Sequence, residues 1–204
     1  MSYKIPTILM VVQNIFIQAW QISAVKEYNK GDNKRFFSLM YDIYNLIMVL
    51  GSSMLIIIAK TIAIFLYGKE FFEAWRYVPI LLISVIFGAL SGFIGTIFSA
   101  NKDSKVYAKS TIIGAVWNII LNIILIPFIG VMGATIATAI SYFIVWIFRI
   151  KKSKQYIELE IDYKRHFCSY ILIILQAIIL IMEIKYDIII NSFITILIIL
   201  INNK

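Results

Sequence analysis

Long apolar runs, broken by short polar and charged clusters, set the pattern of this chain. Seven of them approach the length an α-helix needs to cross a ~30 Å hydrocarbon core at about 1.5 Å per residue. They lie at roughly 5–24, 42–66, 78–99, 107–126, 131–148, 167–182 and 187–201. The last two are short, and the Glu183–Asp187 turn between them is tight, so tilt or local bilayer thinning is expected there. The fourth and fifth runs organise the rest. KSTIIGAVWNIILNIILI and VMGATIATAISYFIVWIFR flank Pro127 and Gly130, a residue without an amide donor and one that tolerates a sharp reversal. The fold class expected is an all-α polytopic membrane protein of about seven transmembrane helices.

Polar residues inside these runs carry the functional reading, because a polar amide in hydrocarbon is costly without a partner or water. Asn118 and Asn122 are four residues apart, on one helical face near mid-membrane. The helix after them offers Gly133, Ala134, Thr135, Ala137, Thr138, Ala139 and Ser141, small enough for close backbone approach. In the first run Asn14, Gln18 and Gln21 share a face, with Gln13 to its side. That face reads as cavity lining, with helix–helix hydrogen bonding as the structural alternative. Lys60 falls inside a run, about two turns before Tyr67. Its stem is long enough to snorkel to the interface, and contact with an anionic lipid head is the functional alternative. Gly88 and Gly92 form a GxxxG pair, read here as a close helix crossing.

Composition agrees with the membrane reading. Hydrophobic residues make up 61% of the chain, and mean hydropathy is +0.89, beyond what a soluble domain hides in its core. MSYKIPTILMVV leads straight into a span, without the small-residue site of a cleavable leader. A net charge of +8 raises nucleic acid as a partner, but the placement of the charges answers otherwise. Fourteen Lys and Arg residues fall in the loops after the first, third and fifth runs and at the chain's end; four fall on the opposite side. That bias puts the richer loops in the cytoplasm and the N-terminus outside.

The loops themselves read as interfacial. Residues 29–41 predict a basic loop leading into a surface helix, with Phe36, Phe37, Met40 and Tyr41 among lipid head groups. Asp42 is expected to be solvated at the start of the next span, and Trp75 and Tyr77 to form part of an aromatic belt. Glu70 and Glu73 read as a solvated loop face. In YIELEIDY, Ile157, Leu159 and Ile161 alternate with Glu158, Glu160 and Asp162, which predicts an extended segment lying on the membrane surface. His166 reads as an interfacial residue, and Cys168, the single cysteine, as a small hydrophobe facing lipid or another helix.

The pattern NIILNIILIPFIGVMGATIATAISY, with FIQAWQISAVKEY (residues 16–28) and LYGKEFFEAWRYVPIL (residues 66–81), resembles the C-terminal half of polysaccharide (O-antigen) flippases. These belong to the multidrug/oligosaccharidyl-lipid/polysaccharide transporter superfamily. The resemblance implies a chain organised as 1–150, second-lobe helices lacking the first helix of that lobe, and 151–204, a cytoplasmic loop and two extra C-terminal helices. Seven spans beginning outside match the last seven of fourteen, so a fragment or truncated reading frame is expected.

The implied function is movement of a polyprenyl-pyrophosphate-linked glycan across the bacterial cytoplasmic membrane, for surface polysaccharide, capsule or lipopolysaccharide assembly. Its cavity candidates are Asn14, Gln18, Gln21, Lys60, Asn118 and Asn122. The partners implied are the lipid-linked glycan, membrane lipids, and a separate N-terminal half or second copy. Two alternatives stand beside it: a non-transporting fragment or packing partner, and a drug or cation antiporter of the same superfamily. Antiport usually rests on a buried carboxylate, and no Asp or Glu lies in the middle of a run. With no GxxxxGK loop, one histidine and one cysteine, the sequence offers no nucleotide, zinc or hydrolase chemistry. An enzyme is not expected, and neither a cofactor nor a metal.

Overall fold

The structure is a computed structural model and describes residues 2–28 and 34–203, with the backbone alone at 69–70. The described residues form α1 (Lys4–Tyr28), α2 (Lys34–Leu66), a 3-10 segment (Lys69–Tyr77), α3 (Val78–Ala100), α4 (Ser104–Ser153), α5 (Tyr163–Ile181) and α6 (Asp187–Asn202). No strand occurs among them, so the fold is all-α. Five of the helical stretches are long and apolar enough to cross a membrane, and α6, at 16 residues, is shorter.

The 50 residues of α4 are two helices in one. Ile129 (φ −131°, ψ 15°) and Gly130 (φ 57°, ψ −137°) leave helical space just after Pro127. The Gly130 conformation is one that L side chains rarely adopt, so the glycine permits the reversal. The arms 104–128 and 131–153 then lie antiparallel. A Cβ on Gly133 would sit 2.7 Å from the Leu125 carbonyl, and one on Gly114 would sit 2.4 Å from Val145 Cγ2. With the kink counted, all seven expected helices are present, their ends displaced by a few residues. The exception is the second.

That second helix begins at Lys34 rather than 42, and the surface helix expected ahead of it does not exist as a separate element. Residues 29–33 of that expectation lie outside the described residues. Phe37 and Tyr41 are fully buried instead of lying among head groups, and Phe36 and Met40 pack against the core. The reason is an aromatic stack that hydropathy alone does not register. Trp20 of α1 stacks on Phe93 of α3 at 4.5 Å and meets Phe37 edge-on at 5.1 Å, while Phe16 stacks on Tyr44 at 4.0 Å. Trp20 Nε1 donates to Thr96 Oγ1 at 2.8 Å, so the indole is buried with its polar handle satisfied.

The central element is α3, which touches α1, α2, α4 and α5. It is apolar all round, as a helix buried on every side must be.

Four other expectations are corrected. Asp42 is paired and only partly exposed rather than simply solvated: Arg165 donates to one carboxylate oxygen, and His166 Nε2 lies 3.0 Å from the other. His166 is therefore buried between α2 and α5 rather than interfacial. Trp75 is buried beside the C-terminal part of α2, beneath Lys60, not set in an aromatic belt. Gly88 and Gly92 are not a tight crossing, since added Cβ atoms would meet nothing nearer than a Tyr142 ring at 3.5 Å and Ile17 at 3.9 Å. The alternation in 157–162 does hold: Ile157 and Leu159 are buried, while Glu158 and Glu160 point outward, 3.9 and 3.2 Å from Lys34. Its apolar side packs on the bundle's core rather than resting on lipid. The side chain of Glu70 lies outside the described residues, and Cys168 is exposed on α5.

The glycines give a direct test of the hairpin. Gly133→Ala forces its methyl against a carbonyl that cannot swing aside, and overpacking of this kind costs about 1–3 kcal/mol. A fall of several degrees in the melting temperature of the detergent-solubilised chain is expected, with no change for Gly92→Ala. Equal melting of the two variants would show that the arms are not held this closely.

Candidate substrate pocket

The two arms of α4 do not close completely on α3, and a pocket of about 480 Å³ remains between them. That volume falls in the range of small-molecule sites, about 300–1,000 Å³. From α3 come Gly88, Ser91 and Gly92; the absence of side chains on the two glycines is what leaves the space. The first arm supplies Tyr107, Thr111, Gly114, Ala115 and Asn118, and the second Thr138, Ser141, Tyr142, Val145 and Arg149. From α1 comes Gln13.

The hydroxyls of this lining are half-used. Ser91 donates to Gly88 O at 2.8 Å, Thr111 to Tyr107 O at 3.1 Å, Thr138 to Ala134 O at 2.9 Å and Ser141 to Ala137 O at 2.7 Å. Each spends its proton on its own helix, the usual way such side chains are tolerated in apolar helices. Their oxygens keep lone pairs as acceptors in the pocket lining, Thr111 having one of its own taken by Arg149. Donors come from the amides. Asn122 Nδ2 donates to Asn118 Oδ1 at 3.0 Å and Asn118 O at 2.8 Å, fixing the Asn118 amide with its own NH2 unspent. Gln13 makes no side-chain hydrogen bond to the described residues. A mixture of acceptors and amide donors suits a ligand rich in hydroxyls, each of which donates and accepts.

At one end of the pocket stands Arg149, only 4% exposed. Its Nε donates to Ser110 Oγ at 2.9 Å, Nη1 to Ser91 O at 2.8 Å and Nη2 to Thr111 Oγ1 at 3.2 Å. The guanidinium lies 4.3 Å from the centre of the Tyr107 ring. One side chain thus ties the second arm to the first and both to α3. The sequence reading placed Arg149 in a cytoplasmic basic run. The missed signal was periodicity, since Thr138, Ser141, Tyr142, Val145 and Arg149 recur on one face at helical spacing.

The expected cavity residues divide. Asn118 lines the pocket and Asn122 supports it from one turn away. Asn14, Gln18 and Gln21 are exposed on α1 and are not among the lining residues; the α1 residue that is, Gln13, was set to the side of their face. Lys60 is elsewhere. Its Nζ lies 2.7 Å from Glu183 Oε1 and 4.4 Å from the Trp75 ring centre, while Arg76 reaches the other Glu183 oxygen at 3.0 Å. The hydrogen bond from Lys60, with both cations beside it, holds the Glu183 carboxyl below the usual carboxylate range. No group of His, Cys, Asp and Glu among the described residues is arranged to hold a metal ion.

Comparison with known proteins follows the same lines. The family model described as "Lipid II flippase MurJ" matches residues 4–201. The chain is 31% identical over 134 residues to the "Uncharacterized membrane protein MJ1068" of Methanocaldococcus jannaschii, covering 65% of this chain and 25% of that protein. It is 29% identical over 99 residues to the "Probable low-salt glycan biosynthesis flippase Agl15" of Haloferax volcanii, covering 48% of this chain and 21% of that one. A solved structure of lipid II flippase MurJ in an inward closed conformation shares the fold, with a TM-score of 0.71 at 16% identity. That likeness covers 99% of this chain and 45% of the solved one. The chain therefore spans under half the length of the proteins it matches.

The Lys60 contact has a pH signature. Glu183 ionises below its ordinary pKa in the folded chain, so the stability it lends is complete above that ordinary value and disappears as pH falls through the depressed one. Lys60→Met is expected to lower the melting temperature at pH 7, and to match the unsubstituted chain once the pH is below the depressed value. A deficit that persists in acid would assign the loss to the packing of Lys60 on Trp75 instead.

Proposed function

The chain belongs to the family of the lipid II flippase MurJ, whose members are transporters and not enzymes, and on that premise we propose that it forms the second lobe of a lipid-linked glycan flippase. The observation that carries the reading is the pocket between α3 and the arms of α4, with unspent hydroxyl lone pairs beside the free amides of Gln13 and Asn118. A sugar entering it exchanges hydrogen bonds with water for hydrogen bonds with these groups. Its polyprenyl chain stays outside in lipid, because the outer faces of α1 and the first arm are apolar there, at Val11, Ile15, Ile119 and Ile123.

The mechanism that fits is alternating access, in which two lobes rock about a site that neither encloses alone. Here Asn14, Gln18 and Gln21 present polar groups on the outside of α1, where the partner lobe completes the cavity. That partner is a separate N-terminal half or a second copy of this chain. The substrate is a glycan on polyprenyl pyrophosphate, moved across the bacterial cytoplasmic membrane toward surface polysaccharide assembly, capsule or lipopolysaccharide. The antiporter alternative is weaker, since the pocket lining contains no carboxylate to titrate.

The test is reconstitution. The full chain, co-expressed with the N-terminal lobe of a family member, is placed in vesicles holding a fluorescent polyprenyl-diphosphate sugar on the inner leaflet. Its appearance on the outer leaflet is followed by quenching with a membrane-impermeant reductant. Flipping is expected to need both lobes, and Gln13→Leu combined with Asn118→Leu to slow it at least tenfold. An unchanged rate in the double variant would sink the assignment of this pocket.

A further inference from the structure

The hydroxyls and amides of the pocket account for a neutral ligand, but not for Arg149. A guanidinium with 4% exposure, in a helix of a membrane protein, is expected to meet a carboxylate, because an uncompensated buried charge is expensive. Arg149 forms no ion pair among the described residues. All three of its hydrogen-bond partners are neutral: a backbone carbonyl and the hydroxyls of Ser110 and Thr111. The Tyr107 ring adds attraction for a cation but no negative charge.

The fold makes room for this group deliberately. Behind it stands Gly95, where a Cβ would lie 2.9 Å from Nη1 and 2.6 Å from the Tyr107 ring. Three of the five guanidinium N–H groups are spent on the brace, which leaves two, and the side chain lines the pocket. A brace alone needs donors; it does not need a permanent charge with no carboxylate paired to it among the described residues.

We propose that the Arg149 end of the pocket is an anion site that takes a phosphate or diphosphate group, with the guanidinium supplying both the charge and its unspent N–H donors. Phosphate oxygens are acceptors only, and so complement these groups and not the hydroxyls already turned to their own helices. The proposal deepens the transport reading and rests on it for one point, that the phosphate is the head of a lipid-linked sugar rather than a free ion. It places the sugar along the Ser91, Thr138 and Ser141 hydroxyls and the phosphate at Arg149.

Binding of farnesyl diphosphate, inorganic pyrophosphate and farnesol to the detergent-solubilised full chain, by calorimetry, tests this without measuring transport. Farnesyl diphosphate is expected to bind saturably, and Arg149→Gln to weaken it at least tenfold while farnesol is unaffected. Because Arg149→Gln also removes the brace, Thr111→Glu is the second variant. It keeps the guanidinium and plants a carboxylate beside it, so binding should be lost while the melting temperature holds or rises. Pyrophosphate at least tenfold weaker than farnesyl diphosphate assigns the site to a lipid head group. Equal, Arg149-dependent binding of both upholds the anion site and overturns the lipid source. Undiminished binding of farnesyl diphosphate by Thr111→Glu, or none by the unsubstituted chain at millimolar concentration, overturns the site itself. Neither result bears on whether the Gln13 and Asn118 variants flip a sugar.

Discussion

The return of α4 on itself is the constraint from which the rest of this structure follows. A tight reversal between two spans frees the backbone groups at both helix ends, which then need other partners or water. Here the break is confined to Ile129 and Gly130, and the arms close at once, Gly133 lying against the Leu125 carbonyl. Closure at that end brings Gly114 beside Val145, and further along it brings Arg149 to Ser110 and Thr111. The pocket is the space left where small residues on both arms face glycines of α3.

Much of this was legible in the sequence. Apolar run length found each α-helix among the described residues, because spanning hydrocarbon demands a continuous block and leaves little freedom in its size. Pro127 and Gly130 marked the hairpin, since each restricts the backbone in its own way. What hydropathy cannot supply is which neighbour covers a residue near a helix end. Phe37, Tyr41 and Trp75 have the composition of an interfacial belt, yet all three are buried, the first two against Trp20 and Phe93 on other helices and Trp75 beneath Lys60. Asp42 and His166 are far apart in sequence, and neither alone announces the other. Gly88 and Gly92 satisfy the spacing of a tight crossing but make space for a pocket instead, a distinction that depends on the facing helix and not on the motif.

Lys60 and Arg149 show how differently the same fold handles charge. Lys60 was visible as an intramembrane lysine, and the fold compensates it with Glu183, a residue 123 positions away in the turn between α5 and α6. Arg149 looked like one more member of a basic cluster, and the fold buries it beside neutral groups. Sequence position ranked them the wrong way round because the α4 helix continues to Ser153, carrying Arg149 inside the bundle before the basic run emerges. A charge is silent when matched and informative when not, so the arginine is the more telling of the two.

The polar groups on α1 set a last condition. Gln13 points into the pocket, while Asn14, Gln18 and Gln21 stand exposed on the same helix among Val11, Val12, Ile15 and Ile22. Facing lipid, each of those three amides would forfeit its hydrogen bonds with water, a loss of about 1–3 kcal/mol by mutational measures. Facing a water-filled cavity or the polar groups of another lobe, they forfeit little. The apolar neighbours impose the opposite requirement, since they are stable against lipid or protein but not against open water. Only a boundary satisfies both, with hydrocarbon on one flank of α1 and a hydrated, protein-walled space on the other. A helix at the rim of a cavity lies on such a boundary, and Gln13 on this one lines the same pocket as Arg149.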